Sequence, residues 1–292
     1  MKPAPFRYHA PTTLDEAMDL LSNAGEDGKV LAGGQSLVPM LNMRLTRFDV
    51  LVDITRIAAL RTIDTGAESV RIGAGVRDVE IEESCEVGDA VPLLKEATRH
   101  VGHFQVRNRG TLCGSVAHAD PTAEYPCVAV TLGAEMQITG PSGSRREAAC
   151  DFFSGTWQTT LATDELLVAV SFPRWSPNAG FGFEEVARRE GDFAIAGAAA
   201  AIEVEKGVVS RVAIGLFGLG ATPLRGTVAE KAMLGAKAFD VDLEDVGRLA
   251  VENVSPPGDL HASGALRRRI GAAVARRALT RALSEASARS ES

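Results

Sequence analysis

Cysteine is scarce in this chain and never paired in sequence. Cys85, Cys113, Cys127 and Cys150 stand far apart, with no C-x-x-C anywhere. That spacing supports neither a zinc site nor an iron–sulfur cluster within the chain. The five histidines (His9, His100, His103, His118 and His261) are equally scattered, so no metal site is expected. No apolar run reaches the length of a membrane span, and the first residues, Met1-Lys-Pro-Ala-Pro-Phe6, contain no signal-peptide core. A reducing, cytoplasmic setting without a membrane span is expected. Positive charge is in deficit: the net charge of −7 argues against a general nucleic-acid binder. Familiar catalytic signatures are missing too. There is no G-x-S-x-G elbow and no G-x-x-x-x-G-K-[ST] phosphate loop. Gly73-Ala-Gly75 lacks the third glycine of a dinucleotide fingerprint, because Asp78 occupies that place, and a Rossmann fold is set aside.

What the chain does have is size and glycine. With 292 residues, 45% of them hydrophobic, it can bury a sizeable core, and two domains or two closely packed subdomains are expected. The stretch Lys29-Val-Leu-Ala-Gly-Gly-Gln-Ser-Leu-Val-Pro39 organises the rest. A short apolar run enters it as a strand, and then Gly33 and Gly34 leave the backbone bare before Gln35 and Ser36. Glycine permits positive φ and close approach of another molecule, and successive N–H groups in such a bend form an anion-binding concavity. An ordinary tight turn after a strand is the plainer alternative. A second stretch, Gln105 to Pro121, repeats the chemistry. It offers Gly110, Gly114 and the hydroxyls of Thr111 and Ser115, behind the positive charge of Arg107 and Arg109. His118 and Asp120 follow, either as an acid–base pair or in a structural role.

Local patterns predict the elements around these bends. Thr13 with Glu16 fits a capping box for a helix carrying Leu14, Ala17, Met18 and Leu21, ended by Gly25. Met40, Leu41, Met43, Leu45 and Phe48 read as core, and Val50–Ile54 as a buried strand. Ser69–Gly75 alternates as a strand, and Pro92 opens a helix through Leu93, Leu94, Ala97 and Val101 to Gly102. Pro141-Ser-Gly-Ser signals a hairpin, and Glu165–Pro173 a further strand. The turn-rich Trp175-Ser-Pro-Asn-Ala-Gly marks a boundary near residue 175. Beyond it the second part opens with Phe181–Val186, and Ala198–Glu205, Val208–Gly218 and the region around Pro223 read as strands or buried segments. Segments 227–234 and 242–253 read as helices, and close backbone packing is expected at Gly215–Gly220. The last helix, Leu266 to about Ala286, carries Arg267, Arg268, Arg269, Arg276, Arg277 and Arg281 on an expected solvent- or subunit-facing surface.

Taken together, Ala32-Gly-Gly-Gln-Ser36, Thr111-Leu-Cys-Gly-Ser115 and Ala117-His-Ala-Asp-Pro121 resemble the FAD-binding medium subunit of the molybdenum hydroxylases. Its best-known members are the flavoprotein subunits of carbon monoxide dehydrogenase, xanthine dehydrogenase-like enzymes and N-heterocycle hydroxylases. The likeness runs from the Lys2-Pro start through Arg188-Arg-Glu-Gly-Asp-Phe193 and Pro223-Leu-Arg225 to the arginine-rich end. It implies an α+β fold: a two-subdomain FAD-binding domain of the vanillyl-alcohol-oxidase/PCMH type over 1–175 (subdomains about 1–56 and 57–175). A smaller α+β domain with an antiparallel sheet would cover 176–292. Leu31, Ala32, Gly33, Gly34, Gln35, Ser36 and Leu37 would wrap the FAD pyrophosphate. Thr111, Cys113, Gly114 and Ser115 would close on it, with Val101, Ala117 and His118 nearby and Asp120 and Glu124 toward the ribityl or adenosine portion. Leu167 would touch the isoalloxazine ring, and Arg188, Asp192 and Phe193 would border it. The family usually has Gly at Cys113 and often Asn at Ser115, which bears on local geometry.

The resemblance further implies an electron-transfer subunit with no catalytic residue acting on the organic substrate, the redox chemistry belonging to the cofactor. Partners would be a large subunit with a molybdenum cofactor and a small subunit with [2Fe-2S] clusters, assembled as a dimer of heterotrimers. The final helix or the loops beside Phe193 would meet them. A free-standing FAD-dependent reductase of the same fold is the alternative, and a nucleotide-holding scaffold a third.

Overall fold

The structure is a computed structural model, described over residues 2–290. It is α+β, and its three principal sheets follow one another along the chain. The first is parallel: β1 (Arg7–His9) and β2 (Gly28–Leu31) flank β3 (Val50–Asp53). Val50, Leu51 and Val52 are all buried, as a central parallel strand covered on both faces requires. Helix α1 (Leu14–Ala24) connects β1 to β2. Thr13 Oγ1 accepts the Glu16 amide, and the Glu16 carboxylate reaches back to the amide of Thr12, one residue earlier than a strict capping box. The chain leaves β2 through residues 32–36 into the short α2 (Leu37–Asn42). Here one expectation fails: Leu41 is buried, but Met43 and Leu45 are 52% and 66% exposed. The helix is too short to turn both residues inward, and Arg44 takes a left-handed φ of 57° immediately after it.

The second sheet is antiparallel, in the order β4-β5-β10-β6-β7. It comprises β4 (Ile63–Thr65), β5 (Ser69–Gly73), β6 (Glu135–Gly140), β7 (Gly143–Ala148) and β10 (Leu166–Pro173). Antiparallel partners on both sides of β5 agree with setting a Rossmann unit aside. Between β5 and β6 run α3 (Asp78–Glu83), α4 (Cys85–Ala90), α5 (Pro92–Thr98), α6 (Phe104–Arg107), α7 (Leu112–His118) and α8 (Glu124–Leu132). The helix opened by Pro92 ends at Thr98, so Val101 follows it in a turn rather than continuing its apolar face. Past β7, α9 (Ala149–Phe152) leads into a small hairpin of β8 (Phe153–Gly155) and β9 (Gln158–Thr159).

The third sheet, β11-β12-β13-β14, is antiparallel. Its strands are β11 (Gly180–Ala187), β12 (Ala194–Glu205), β13 (Val208–Phe217) and β14 (Leu224–Arg225), with α10 (Thr227–Met233), α11 (Leu243–Ala250) and α12 (Gly264–Ser290) after them. The alanine run of β12 is explained by burial on both faces. Ala199 and Ala201 join the core built by the first 175 residues, while Ala196, Ala198, Ala200 and Ile202 face the helices of the C-terminal part. Small residues let α12 lie directly on β11: a Cβ at Gly180 or Gly182 would stand 2.0 or 2.1 Å from the carbonyl oxygens of Ala282 and Ala278. On the opposite face, a Cβ at Gly215 would fall 1.9 Å from Thr131 Oγ1 of α8, which is the close packing expected there.

The arginines of α12 divide. Arg276 and Arg281 pair with Glu244 and Glu96, and Arg269 and Arg277 are exposed. Arg267, expected on an outer face, is instead 6% exposed. Its guanidinium donates to the Ile195 and Gly218 carbonyls at 2.5 and 3.3 Å and to Asp259 at 2.5 Å, stitching the helix start to the sheet.

Candidate functional site

The strand–bend–helix unit β2–α2 brings the amides of Gly33, Gly34, Gln35 and Ser36 to one rim. None of these four donates to an acceptor among the described residues. Gly34 takes φ +73°, and a Cβ at Gly33 would lie 2.1 Å from the Arg109 carbonyl oxygen and 2.7 Å from the Gly110 Cα. The first bend is thus pressed backbone to backbone against the start of the second stretch, which only glycine allows. The Ser36 hydroxyl makes no capping bond, so it remains free for a ligand.

The second stretch is not a matching loop. Residues 112–118 form α7, and Thr111 is its N-cap: Thr111 Oγ1 accepts the Gly114 amide at 3.1 Å. A β-region residue with a short hydroxyl, followed by apolar and small residues, is a helix-start signal. Thr111 is buried at 4% exposure, so its hydroxyl holds the helix. Arg107 is likewise committed, to Glu82 at 2.7 Å and to the Val101 and Gly102 carbonyls. The Cys113 side chain is buried in the core. Its thiol donates to the Ile72 carbonyl, and burial pushes it up to about 12, so it is an inert core thiol that leaves its backbone at the rim.

These rims border a cleft of about 740 Å³ that is partly open to solvent. Of the twenty residues proposed from the sequence, nineteen line it: Leu31 to Leu37, Val101, Thr111, Cys113, Gly114, Ser115, Ala117, His118, Asp120, Glu124, Leu167, Asp192 and Phe193. Arg188 does not. It lies outside the wall, against His261 Nδ1 at 3.2 Å and Asp192 at 4.0 Å. His118 and Asp120 do not form a pair with each other. Asp120 accepts from the Thr122 amide and hydroxyl at 2.9 and 2.6 Å and from Trp157 Nε1 at 3.1 Å, while the His118 ring stacks on Trp157. Burial lowers the His118 pKa, opposed by Asp120 and reinforced by Lys29. Both residues therefore buttress the wall through Trp157.

Sequence reasoning missed part of that wall. The hairpin β8–β9 contributes Ser154, Trp157, Gln158 and Thr159, and Trp157 is pinned by its amide to the Ala119 carbonyl at 3.0 Å. The left-handed φ of Ala119 (53°) and Trp157 (57°) makes this contact, and no local pattern announces it. Lys29 and Asp78 were also missed. Lys29 lies on β2 with its ammonium over the Phe48 ring, and burial lowers its pKa. Asp78 is 2% exposed, its Oδ1 has no hydrogen-bond partner, and burial raises it to about 7. Among the described residues no group of acidic, histidine or cysteine side chains is placed to hold a metal.

Bare amides on one rim, a close glycine contact, an adjoining cation and a cleft of this volume fit a dinucleotide. The family model described as the FAD binding domain in molybdopterin dehydrogenase matches residues 4–175. This chain belongs to that family. The CO dehydrogenase flavoprotein C-terminal domain matches residues 181–282. The carbon monoxide dehydrogenase medium chain of Hydrogenophaga pseudoflava is 35% identical over 283 residues, covering 97% of this chain and 98% of its own. The 6-hydroxypseudooxynicotine dehydrogenase complex subunit alpha of Paenarthrobacter nicotinovorans is 35% identical over 293 residues, covering 100% and 99%. A solved carbon monoxide dehydrogenase from Hydrogenophaga pseudoflava, lacking the Mo-pyranopterin moiety of its cofactor, superposes with a TM-score of 0.95. That match is 35% identical and covers 98% of this chain and 99% of the other. Quinoline 2-oxidoreductase from Pseudomonas putida 86 superposes at 0.93, also 35% identical, covering 98% and 99%. The molybdopterin dehydrogenase flavoprotein is an oxidoreductase component, and FAD is its cofactor. No helix among the described residues is long and apolar enough to cross a membrane.

Proposed function

We propose that this chain is the FAD-bearing electron-transfer subunit of a heteromeric molybdenum hydroxylase. It takes electrons from [2Fe-2S] clusters of a small partner subunit, fed in turn by a large molybdopterin subunit, and delivers them to an external acceptor. The observation that carries the reading is the cavity: one continuous cleft meets the bare amides of Gly33–Ser36, the α7 start and the Asp192–Phe193 loop at once. Full-length likeness to medium chains of multi-subunit dehydrogenases supports the partners. In this reading residues 31–37 hold the diphosphate by main-chain N–H groups and the Ser36 hydroxyl, with the Lys29 ammonium adding charge complementarity. Asp120 fixes Trp157 as part of the wall, and Leu167 and Phe193 offer apolar surface to the ring. Bound FAD supplies the two-electron redox chemistry, and the chain binds, orients and shields it. Assembly as a dimer of heterotrimers, a functional boundary near residue 175 and a cytoplasmic site belong to the same proposal.

The test is to produce the chain alone and together with the two polypeptides encoded beside it. The expected result is a yellow protein releasing FAD on denaturation, and co-purification with a molybdenum-bearing large chain and an iron–sulfur chain. A flavin-free chain that takes up no added FAD, alone or assembled, overturns the cofactor assignment. A flavin-loaded chain that never joins such partners overturns the subunit assignment.

A further inference from the structure

Thr156 and Trp157 make the two-residue turn between β8 and β9, and Trp157 takes a left-handed φ of 57°. Glycine is the residue that such a position favours. A bulky side chain at positive φ is a genuine outlier, and it persists only where the surroundings fix it. Three contacts do so here. The Trp157 amide donates to the Ala119 carbonyl at 3.0 Å, and Nε1 donates to Asp120 at 3.1 Å. The ring stacks on His118, 6.4 Å between centroids and 23° between planes. An indole fastened in this way is nonetheless 54% exposed and lines the cleft. Among the described residues it stacks on no ring other than His118. The backbone strain therefore holds a large aromatic plane on the cleft wall rather than in the core.

Helix α7 fixes where along a bound dinucleotide this plane stands. Gly114, Ser115 and His118 share one face of the helix at helical spacing, and all three line the cleft, so α7 runs along its wall. At the start of α7 the bend at Gly33 presses on Arg109 and Gly110, and a Cβ at Gly114 would lie 3.6 Å from the Ala32 Cβ. That is where the proposed function puts the diphosphate. Just before this start, the Gly110 amide donates to the Val106 carbonyl, and the 188–193 loop rests on the same segment. A Cβ at Gly191 would stand 2.4 Å from the His103 ring. Phe193 and the isoalloxazine belong to that end. Trp157 meets the opposite end of α7, at His118, Ala119 and Asp120, one helix length of about 10 Å away. A dinucleotide carries a planar group on each side of its diphosphate, and bases stack on aromatic side chains through their π-faces. We infer that the Trp157 indole is the stacking platform for the adenine ring of bound FAD, with Asp120 and His118 as its positioning residues. The inference rests on the proposed FAD site.

The test uses the FAD-stripped full chain, titrated with ADP and separately with FAD. The chain has two tryptophans, and the other, Trp175, is 9% exposed. ADP, which carries the adenine without a flavin, should therefore quench the tryptophan emission of the unaltered chain. In Trp157→Leu that quenching should vanish, and the Kd for FAD should rise about tenfold, the scale of one base–aromatic stack. At saturating FAD the visible absorption spectrum of the flavin should match that of the unaltered chain, because the isoalloxazine end is untouched. Trp157→Gly is the second variant: glycine adopts the positive φ freely, so the turn is kept while the ring is removed, and the same loss is expected. Trp157→Phe, which keeps a stacking face but not the bond to Asp120, should stand closer to the unaltered chain than Trp157→Leu does. Absence of ADP quenching in the unaltered chain overturns the inference. So does unchanged FAD affinity in both Trp157→Leu and Trp157→Gly, or a flavin spectrum altered in both, which marks a general disturbance of the cleft. An unaltered chain that takes up no FAD is a different outcome and strikes the proposed function instead.

Discussion

Two glycine positions and two buried carboxyls give the residue-scale tests. A Cβ at Gly33 would meet the Arg109 carbonyl at 2.1 Å, a backbone atom that cannot swing aside. Gly33→Ala should therefore separate the two rims and weaken FAD binding about tenfold or more, as overpacking penalties of about 1–3 kcal/mol imply. Titrating the FAD-stripped chain with FAD and following flavin fluorescence measures it. Asp78 and Glu124 are both raised, to about 7 and about 8, mainly by burial. Between the ordinary carboxyl range and those values the folded chain binds more protons than the unfolded one. Stability is therefore highest at acidic pH and falls as pH climbs through about 7 to 8. Urea unfolding of the FAD-free chain at pH 5 and pH 8.5 should show that fall. Asp78→Asn removes one of the two titrations and should shrink that fall by about 2 kcal/mol, at about 1.4 kcal/mol per pH unit between pH 5 and about 7.

Contact between elements governs the C-terminal part. Helix α12 rests on β11 through Gly180 and Gly182 and through its own alanines at 278, 282 and 286. Gly182→Ala would place a methyl 2.1 Å from the Ala278 carbonyl and should cost about 2 kcal/mol, read as a lowered urea midpoint at unchanged slope. At the other end of the same helix, Arg267 satisfies two buried carbonyls and Asp259. Arg267→Ala should cost about 2 kcal/mol, whereas Arg269→Ala, on the exposed side, should stay within about 0.5 kcal/mol. The comparison separates an arginine that fastens the helix from one that decorates it. The sequence alone could not make that distinction: six arginines spaced along alanines read alike until the sheet decides which one faces it.

For the whole molecule, the decisive feature is a core that crosses the chain's midpoint. Phe181, Phe183, Ala199, Ala201, Ala213 and Phe217 pack into the cluster built around Val70, Tyr125 and Phe172. A chain cut after Trp175 would expose that face, and it should lack the fixed packing of the whole chain. Near-UV circular dichroism and dye binding measure this, with a weakened aromatic signal and raised dye fluorescence as the expected outcome. The full chain, in contrast, should unfold with its two sheet systems coupled, since Gly215 and Thr131 lock them backbone to side chain.

Composition and local pattern determined a good deal here. Apolar runs located β3, β10 and β13. Thr13 and Gly25 bounded α1, and the bare bend at 33–34 marked one rim of the cavity, whereas 112–118 proved to be a helix. Each of those signals is local, because capping, strand alternation and glycine's freedom act within a few residues. What only the tertiary structure decided is non-local. Met43 and Leu45 lie outward because α2 ends after one and a half turns; Arg188 stands off the cavity because it engages His261; and Arg267 is buried because two carbonyls need it. Burial and charge coupling depend on which elements pack together, and that is set by the whole chain's search for a closed core.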